Sequence, residues 1–265
     1  MKRVLLWSLM LSVMIVACST VPITGRKQLS LIPASTMLSM SYQQYGEFLK
    51  GNKLTTDADK TAMVKRTGLN IQKAVERYFS EKGLSEHLKG YQWEVNLVES
   101  PDVNAWCMPG GKIVVYTGIL PVTQTEAGLA VVMGHEVAHA VAEHGGERMS
   151  QGLLAQLGGV ALDVALQNKP EQTRALWSTA FSVGAQYGAL LPFSRLQESE
   201  ADELGLVFMA MAGYDPNEAV SFWQRMSAQK GGSAPPEFMS THPSDATRIN
   251  NIKKHLPEAL KYYKK

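Results

Sequence analysis

From Ser35 onward, apolar side chains return at helical spacing until Gly51 and Asn52 supply a stop. A second helix is predicted from Asp57 to about Lys82, with Met63, Leu69, Ile71, Ala74, Val75 and Tyr78 as its apolar stripe. The period then shortens to two. Trp93, Val95 and Leu97 alternate with Gln92, Glu94 and Asn96, which describes a half-buried strand. The run NAWCMPGGKIVVYTGIL places a Pro-Gly-Gly turn between two extended segments, so two more strands should form a hairpin or close pair. Thr123 with Glu126 reads as a capping box for a helix reaching His144, ended by Gly145 and Gly146. Helices rich in Ala, Leu, Gly and Val are predicted near 147–167 and 171–187, both placed in the core. Others should span about Arg195–Met211, closed by Gly213, and a segment opening at Pro216. Residues 231–244 read as a loop, and the last helix begins near Ser244, with Pro257 dividing off a short terminal piece. No repeat is visible, so the expected fold class is α+β, mainly helical, with a small sheet just before the helix at 123–144.

That helix carries unusual chemistry. The chain has six histidines and places two of them, His135 and His139, four residues apart. On a helix they share one face about a turn apart, which makes a metal half-site. His135-Glu136-Val137-Ala138-His139 has the His-Glu-x-x-His form, in which two neutral imidazoles bind Zn²⁺ and the glutamate stands beside an activated water. A catalytic zinc needs a third protein ligand and an open position. In RLQESEADELG, Glu198 and Asp202 are again four apart on one face, while Glu200 points elsewhere. Asp202 can accept a hydrogen bond from a ligating histidine's other ring nitrogen.

The N-terminus changes the picture of where the chain works. Lys2 and Arg3 precede an apolar run, Val4 to Ala17, too short to span a bilayer comfortably. The ending Ile-Val-Ala-Cys resembles a bacterial lipobox, which makes Cys18 a lipidated mature N-terminus. Residues 1–17 are then a lipoprotein signal peptide, 18–34 a lipidated N-terminus and tether, and 35–265 the folded domain. Ser19 following the cysteine implies a lipid-anchored protein at the periplasmic face of the outer membrane. Loss of Lys2 and Arg3 leaves acids and bases balanced, so neither nucleic acid nor a polybasic membrane patch is indicated. With Cys18 acylated, Cys107 is the sole remaining thiol and no intrachain disulfide is possible.

Five motifs in order resemble peptidase family M48, the zinc-dependent gluzincins. They are TGRKQL, VNAWCMPGGKIVVYTGIL, GHEVAHAVAEH, SRLQESEAD and THPSDATR. The resemblance covers most of the chain beyond the leader and implies a zincin-type metallopeptidase fold. It also implies one Zn²⁺ held by His135, His139 and Glu198, with Asp202 behind them and Glu136 as catalytic base. Val103, Asn104, Ala105, Trp106 and Cys107 resemble the family's edge strand, where an extended substrate adds by backbone hydrogen bonds. His242 and Arg248 resemble residues brought over the metal, where a histidine either stabilises the oxyanion or caps the zinc. The implied activity is endopeptidase cleavage of unfolded or damaged envelope proteins. A non-proteolytic zinc-binding chaperone or scaffold lipoprotein is the alternative. The expected partners are polypeptide substrates and a membrane, reached through the N-terminal lipid. The sequence offers no identifiable docking domain and lacks the multiple transmembrane helices of integral-membrane members.

Overall fold

The structure, a computed structural model, describes residues 18–21, 23–186, 190–229, 237–242 and 246–264. The predicted signal peptide, 1–17, lies outside them. Two units divide the chain: the first takes in the chain up to Met37 with Glu143–Gln197, the second Leu38–Ala142 with Glu198–Lys265.

In the first unit, strands β1 (Cys18–Thr20) and β2 (Lys27–Leu29) pair antiparallel with Cys18 opposite Leu29, where an irregular tether was expected. The ribbon is closed by Gly25 at φ +72°. The other elements of this unit are two long helices, α5 (His144–Leu166) and α6 (Glu171–Ala185). Both lie where the sequence places them, but they are not core. Only His144, Glu147 and Ser150 of α5 are buried, and no residue of α6 is.

The second unit is mainly helical around a small sheet. Helix α1 (Ala34–Gly51) begins in the first unit and continues here, followed by α2 (Ala58–Glu81). Asp57 caps α2 by accepting the Lys60 N–H at 3.0 Å, and Val64, Ile71, Ala74, Val75, Tyr78 and Phe79 form its buried face. Leu69 lies off that face and is exposed. Strand β3 (Glu94–Val98) pairs parallel with β5 (Lys112–Tyr116), and β4 (Ala105–Met108) pairs antiparallel with β5. The order is therefore β3-β5-β4 with β4 at an edge. The β4–β5 turn uses Gly110 and Gly111, both at positive φ, a conformation a side chain would strain. Asn96, expected to face solvent, is buried because its amide donates to the Tyr45 hydroxyl at 2.9 Å.

A short helix, α3 (Leu120–Thr123), precedes the central one, α4 (Glu126–Val141). The cap of α4 is Thr125, whose hydroxyl accepts the Gly128 N–H at 3.0 Å; Thr123 belongs to the preceding turn. Every residue of α4 from Gly128 to Val141 is buried, and it packs against β4, α2 and α8 (Glu218–Ala228). A helix apolar on all sides belongs inside a structure. It ends at Val141 because Glu143 takes a left-handed conformation, φ +59°; Gly145 and Gly146 then fall within α5. Helix α7 (Leu191–Met211) ends, as expected, at Gly213, with Gly213 and Tyr214 N–H groups closing on the Ala210 and Met209 carbonyls. Within the predicted loop, Glu237–Thr241 forms a short helix, α9, while 231–236 and 243–245 lie outside the described residues. Helix α10 (Ala246–Leu260) runs through Pro257 without dividing, the proline sitting in its last turn.

Candidate metal centre

Two crossing helices bring the site together. At Gly134 of α4 and Gly205 of α7 the backbones approach so closely that a methyl on Gly134 would stand 2.8 Å from the Gly205 carbonyl oxygen. A methyl on Gly205 would stand 2.8 Å from the His135 nitrogen. With no side chain between them, the imidazole next to Gly134 meets the carboxylates one and two turns before Gly205.

His135, His139, Glu198 and His242 converge, one ligand atom from each lying within 4.8 Å of the others. His135 Nε2 is 3.1 Å from His139 Nε2 and 3.1 Å from His242 Nδ1. Glu198 Oε2 stands 3.4 Å from His135 Nε2, Glu198 Oε1 3.2 Å from His139 Nε2, and His242 Nδ1 2.9 Å from Glu198 Oε2. Ligands at the corners of a zinc tetrahedron are about 3.3 Å apart, given bonds of about 2.0–2.1 Å. The observed spacings of 2.9–3.4 Å match that figure, and three imidazoles with one carboxylate are the donors zinc takes. The residues therefore fit a zinc ion. Glu200 is buried but is not among the converging donors.

A layer of charge lies behind the donors. Asp202 Oδ1 is 3.0 Å from His135 Nδ1. Arg248, on α10, donates from Nε to Asp202 Oδ2 at 2.8 Å and from Nη2 to Asp202 Oδ1 at 2.6 Å, and its Nη1 lies 3.2 Å from Glu198 Oε2. Its guanidinium sits 3.5 Å over the Trp223 ring. Arg248 is thus engaged behind the donors with both hands. Burial disfavours the His135 imidazolium, yet hydrogen bonds to Asp202 and Glu198 outweigh it and raise the pKa to about 9. Burial would raise the Glu198 carboxyl, but hydrogen bonds from His135, His139 and His242 hold it far below the usual carboxylate range. Asp202 is likewise lowered, burial being outweighed by the Arg248 charge and His135.

Glu136 is buried beside these groups, its Oε1 3.4 Å from His242 Nε2. His242 is held by its own backbone, whose N–H donates to the Phe238 carbonyl at 2.8 Å, and by its ring packing 4.7 Å from the Phe238 ring. Of the residues read as a substrate strand, Ala105, Trp106 and Cys107 lie in edge strand β4, against which the histidine helix packs. Val103 and Asn104 precede it, their carbonyls accepting from Phe238 and Tyr116 N–H groups at 3.2 and 3.1 Å. Trp223 and Phe238, both fully buried, were not singled out from the sequence. Trp223, on an apolar helical stripe, looks like any core residue, and Phe238 falls in the stretch read as a loop.

The sequence pattern of peptidase family M48 matches residues 65–256. Over 247 residues, 90% of this chain and 66% of the relative, the chain is 34% identical to the mitochondrial metalloendopeptidase OMA1 of Schizosaccharomyces pombe. It is 32% identical over 248 residues to the mitochondrial metalloendopeptidase OMA1 of Homo sapiens, covering 91% of this chain and 46% of that one. With the β-barrel assembly-enhancing protease of Escherichia coli it shares 27% identity over 158 residues, 58% of this chain and 32% of that protein. The chain thus spans between about one third and two thirds of the length of these relatives. The placement expected from the leader, a bacterial outer membrane, is overturned: the relatives that match over nine tenths of the chain are mitochondrial proteins. A basic start and an apolar run specify a targeting segment more firmly than its address. With a match over most of its length and the matching donor set on its two central helices, the chain belongs to peptidase family M48.

Proposed function

We propose that this chain is a zinc-dependent endopeptidase acting on extended or unfolded polypeptide. The observation that carries the reading is the convergence of His135 and His139 of the buried helix α4 with Glu198 of α7, beside Glu136. Those three side chains would hold Zn²⁺, which when bound polarises a carbonyl and makes water acidic near neutral pH. Glu136 takes the proton of the attacking water and returns it to the leaving amine, so no covalent intermediate with the protein is needed. Asp202, 3.0 Å from His135 Nδ1, keeps that proton on Nδ1 and leaves Nε2 free to ligate. Arg248 acts through Asp202 and Glu198 as a positioning residue, its three charge-assisted contacts and its seat on Trp223 fixing both carboxylates.

Substrate would add along β4, whose outer edge carries backbone donors and acceptors, so the enzyme would read main chain more than side chains. Attachment to a membrane through the N-terminal segment is a separate part of the reading, supported by the apolar run ending at Cys18; membrane fractionation of Cys18→Ser tests it.

The decisive experiment uses Glu136→Gln. That protein should bind about one zinc per chain, as the unaltered protein does, and fail to cleave casein. Zinc binding with no cleavage by the unaltered protein would favour a non-proteolytic zinc-binding chaperone or scaffold.

A further inference from the structure

The helices α5 and α6 expose what a folded chain normally hides. Leu153, Leu154, Leu157, Val160 and Val164 lie along one face of α5, with Leu157 55% exposed. On α6, Leu176 is 69% and Trp177 55% exposed. Scattered exposed leucines need no explanation, but a continuous apolar face on two adjacent helices does. Helix α5 is also long and apolar enough to cross a membrane, and it is neither buried in a core nor part of the leader.

The charges decide what covers this face. No Lys, Arg, Asp or Glu occurs in the 14 residues from Met149 to Leu162, nor in the 20 from Ala175 to Ser194. Charged residues are confined to the two ends of the pair. At one end are Glu147, Arg148 and Arg195; at the other, Asp163, Lys169, Glu171 and Arg174, of which Arg174 and Asp163 are ion-paired at 2.7 Å. A partner protein is usually met by a polar rim around an apolar patch, whereas charge-free arms with charged ends match the layering of a bilayer. Helix α5 is about 35 Å long at 1.5 Å per residue, enough to carry its far end across a hydrocarbon core of about 30 Å. The contact between the arms is of the kind lipid demands: Gly158 faces the Phe181 ring so closely that a methyl there would stand 2.8 Å from Cζ.

The near end is tied to the segment that emerges from the apolar leader. Arg26 makes two bonds to Glu147, at 2.9 and 2.8 Å, Gln197 donates to Glu147 at 2.7 Å, and the Leu31 N–H donates to Ser150 Oγ at 3.0 Å. The stretch that follows the apolar leader is thus held at this end of the pair.

We propose that the α5–α6 hairpin inserts into a lipid bilayer, apolar faces outward and the Asp163–Arg174 end leading. Neither the peptidase reading nor the metal enters the argument. The test uses Trp177 as a depth probe. Full-length protein and its Trp177→Phe variant are reconstituted into phosphatidylcholine vesicles whose acyl chains carry bromine, and the difference between their emissions isolates Trp177, since signals from Trp7 in the leader cancel. The expected result is a blue-shifted Trp177 component, quenched at least twofold more by acyl-chain bromine than by aqueous acrylamide. The substitutions Leu157→Asp and Val160→Asp together, at exposed positions, should remove most of that quenching while the circular dichroism stays unchanged. A Trp177 component indifferent to brominated lipid would overturn the proposal, whether the chain stays bound by its leader alone or the hairpins of two copies cover one another. If the aspartate variant misfolds, the Trp177 measurement on the unaltered chain still decides.

Discussion

Arg248 grips Asp202 at two points, Nε to Oδ2 at 2.8 Å and Nη2 to Oδ1 at 2.6 Å, and the same Oδ1 lies 3.0 Å from His135 Nδ1. The arginine thus controls the orientation of a candidate zinc ligand from beside it, its Nη2 also lying 3.3 Å from His135 Nε2. Arg248→Ala should weaken zinc binding about 10- to 100-fold, the usual cost of losing such support, and leave the buried Asp202 with His135 as its partner but without the arginine's charge. Arg248→Lys should rescue little, because an ammonium cannot reproduce the planar two-point contact or the stacking on Trp223. Zinc affinity measured by competition with a chelator checks both; a lysine variant indistinguishable from the unaltered chain would show that charge alone suffices.

The assignment of donors to one face of α7 predicts a contrast between neighbours. Glu198→Ala, like His135→Ala and His139→Ala, should lose the single zinc equivalent, while Glu200→Gln should keep it, since Glu200 is not among the converging donors. Metal analysis of the purified variants is sufficient. Loss in Glu200→Gln with retention in Glu198→Ala would shift the site by two residues along the helix.

His242 completes a set of four donors, with Nδ1 3.1 Å from His135 Nε2 and 2.9 Å from Glu198. Were His242 a fourth protein ligand, no open position for water would be left, and we propose that it caps a resting site in this way. The Phe238 contacts that hold His242 lie on the short α9, beside residues of the same loop, so the cap sits on a small separate element. His242→Ala should then raise casein turnover several-fold with zinc retained at one equivalent. A fall in kcat with unchanged zinc content would instead assign the imidazole to the oxyanion.

Zinc uptake should depend on pH in a definite direction. In the metal-free chain His135 has its pKa raised to about 9, and an imidazolium cannot ligate. Binding must displace that proton, so apparent affinity should rise about tenfold per pH unit up to about pH 9 and level off above it. Glu198, held far below the carboxylate range, is ionised throughout and adds no slope at neutral pH. Titration calorimetry at pH 7 in buffers of differing ionisation enthalpy should report about one proton released per zinc; no release would show His135 already neutral.

Much of this site was legible because helical geometry is a local property. Spacings of four put His135 with His139 and Glu198 with Asp202, and no knowledge of the fold is needed for either pair. What joins the pairs was not legible. Trp223 beneath Arg248 reads as one more core aromatic, and the Gly134–Gly205 approach involves residues 71 positions apart. Short-range signals also misled where two readings compete: Thr123 and Thr125 both precede Glu126 plausibly, and the backbone chose the one whose hydroxyl reaches Gly128. The hydrophobic pattern of α5 and α6 correctly gave helices and wrongly gave core, because periodicity reports that a face is apolar and says nothing of what covers it.

The glycine crossing yields the sharpest structural test. Because a methyl on Gly205 would come within 2.8 Å of the His135 nitrogen, Gly205→Ala must push α7 away from α4 or tilt it. The groups opposed there are backbone, which cannot rotate aside as a side chain would, so overpacking of this kind should cost about 1–3 kcal/mol. In a surface helix the same change would stabilise by about 1 kcal/mol through propensity, and the sign therefore reports the crossing itself. Donor spacings of 2.9–3.4 Å leave no slack for such a shift, so zinc affinity should fall together with stability although no ligand has been altered. Gly213→Ala is the control: that residue, at φ +90°, ends α7 with open space around it, so its substitution should lower stability and leave zinc affinity intact. Denaturant melts paired with chelator competition separate the two effects. Equal zinc affinity in Gly205→Ala and the unaltered chain would mean that the crossing does not set the metal geometry.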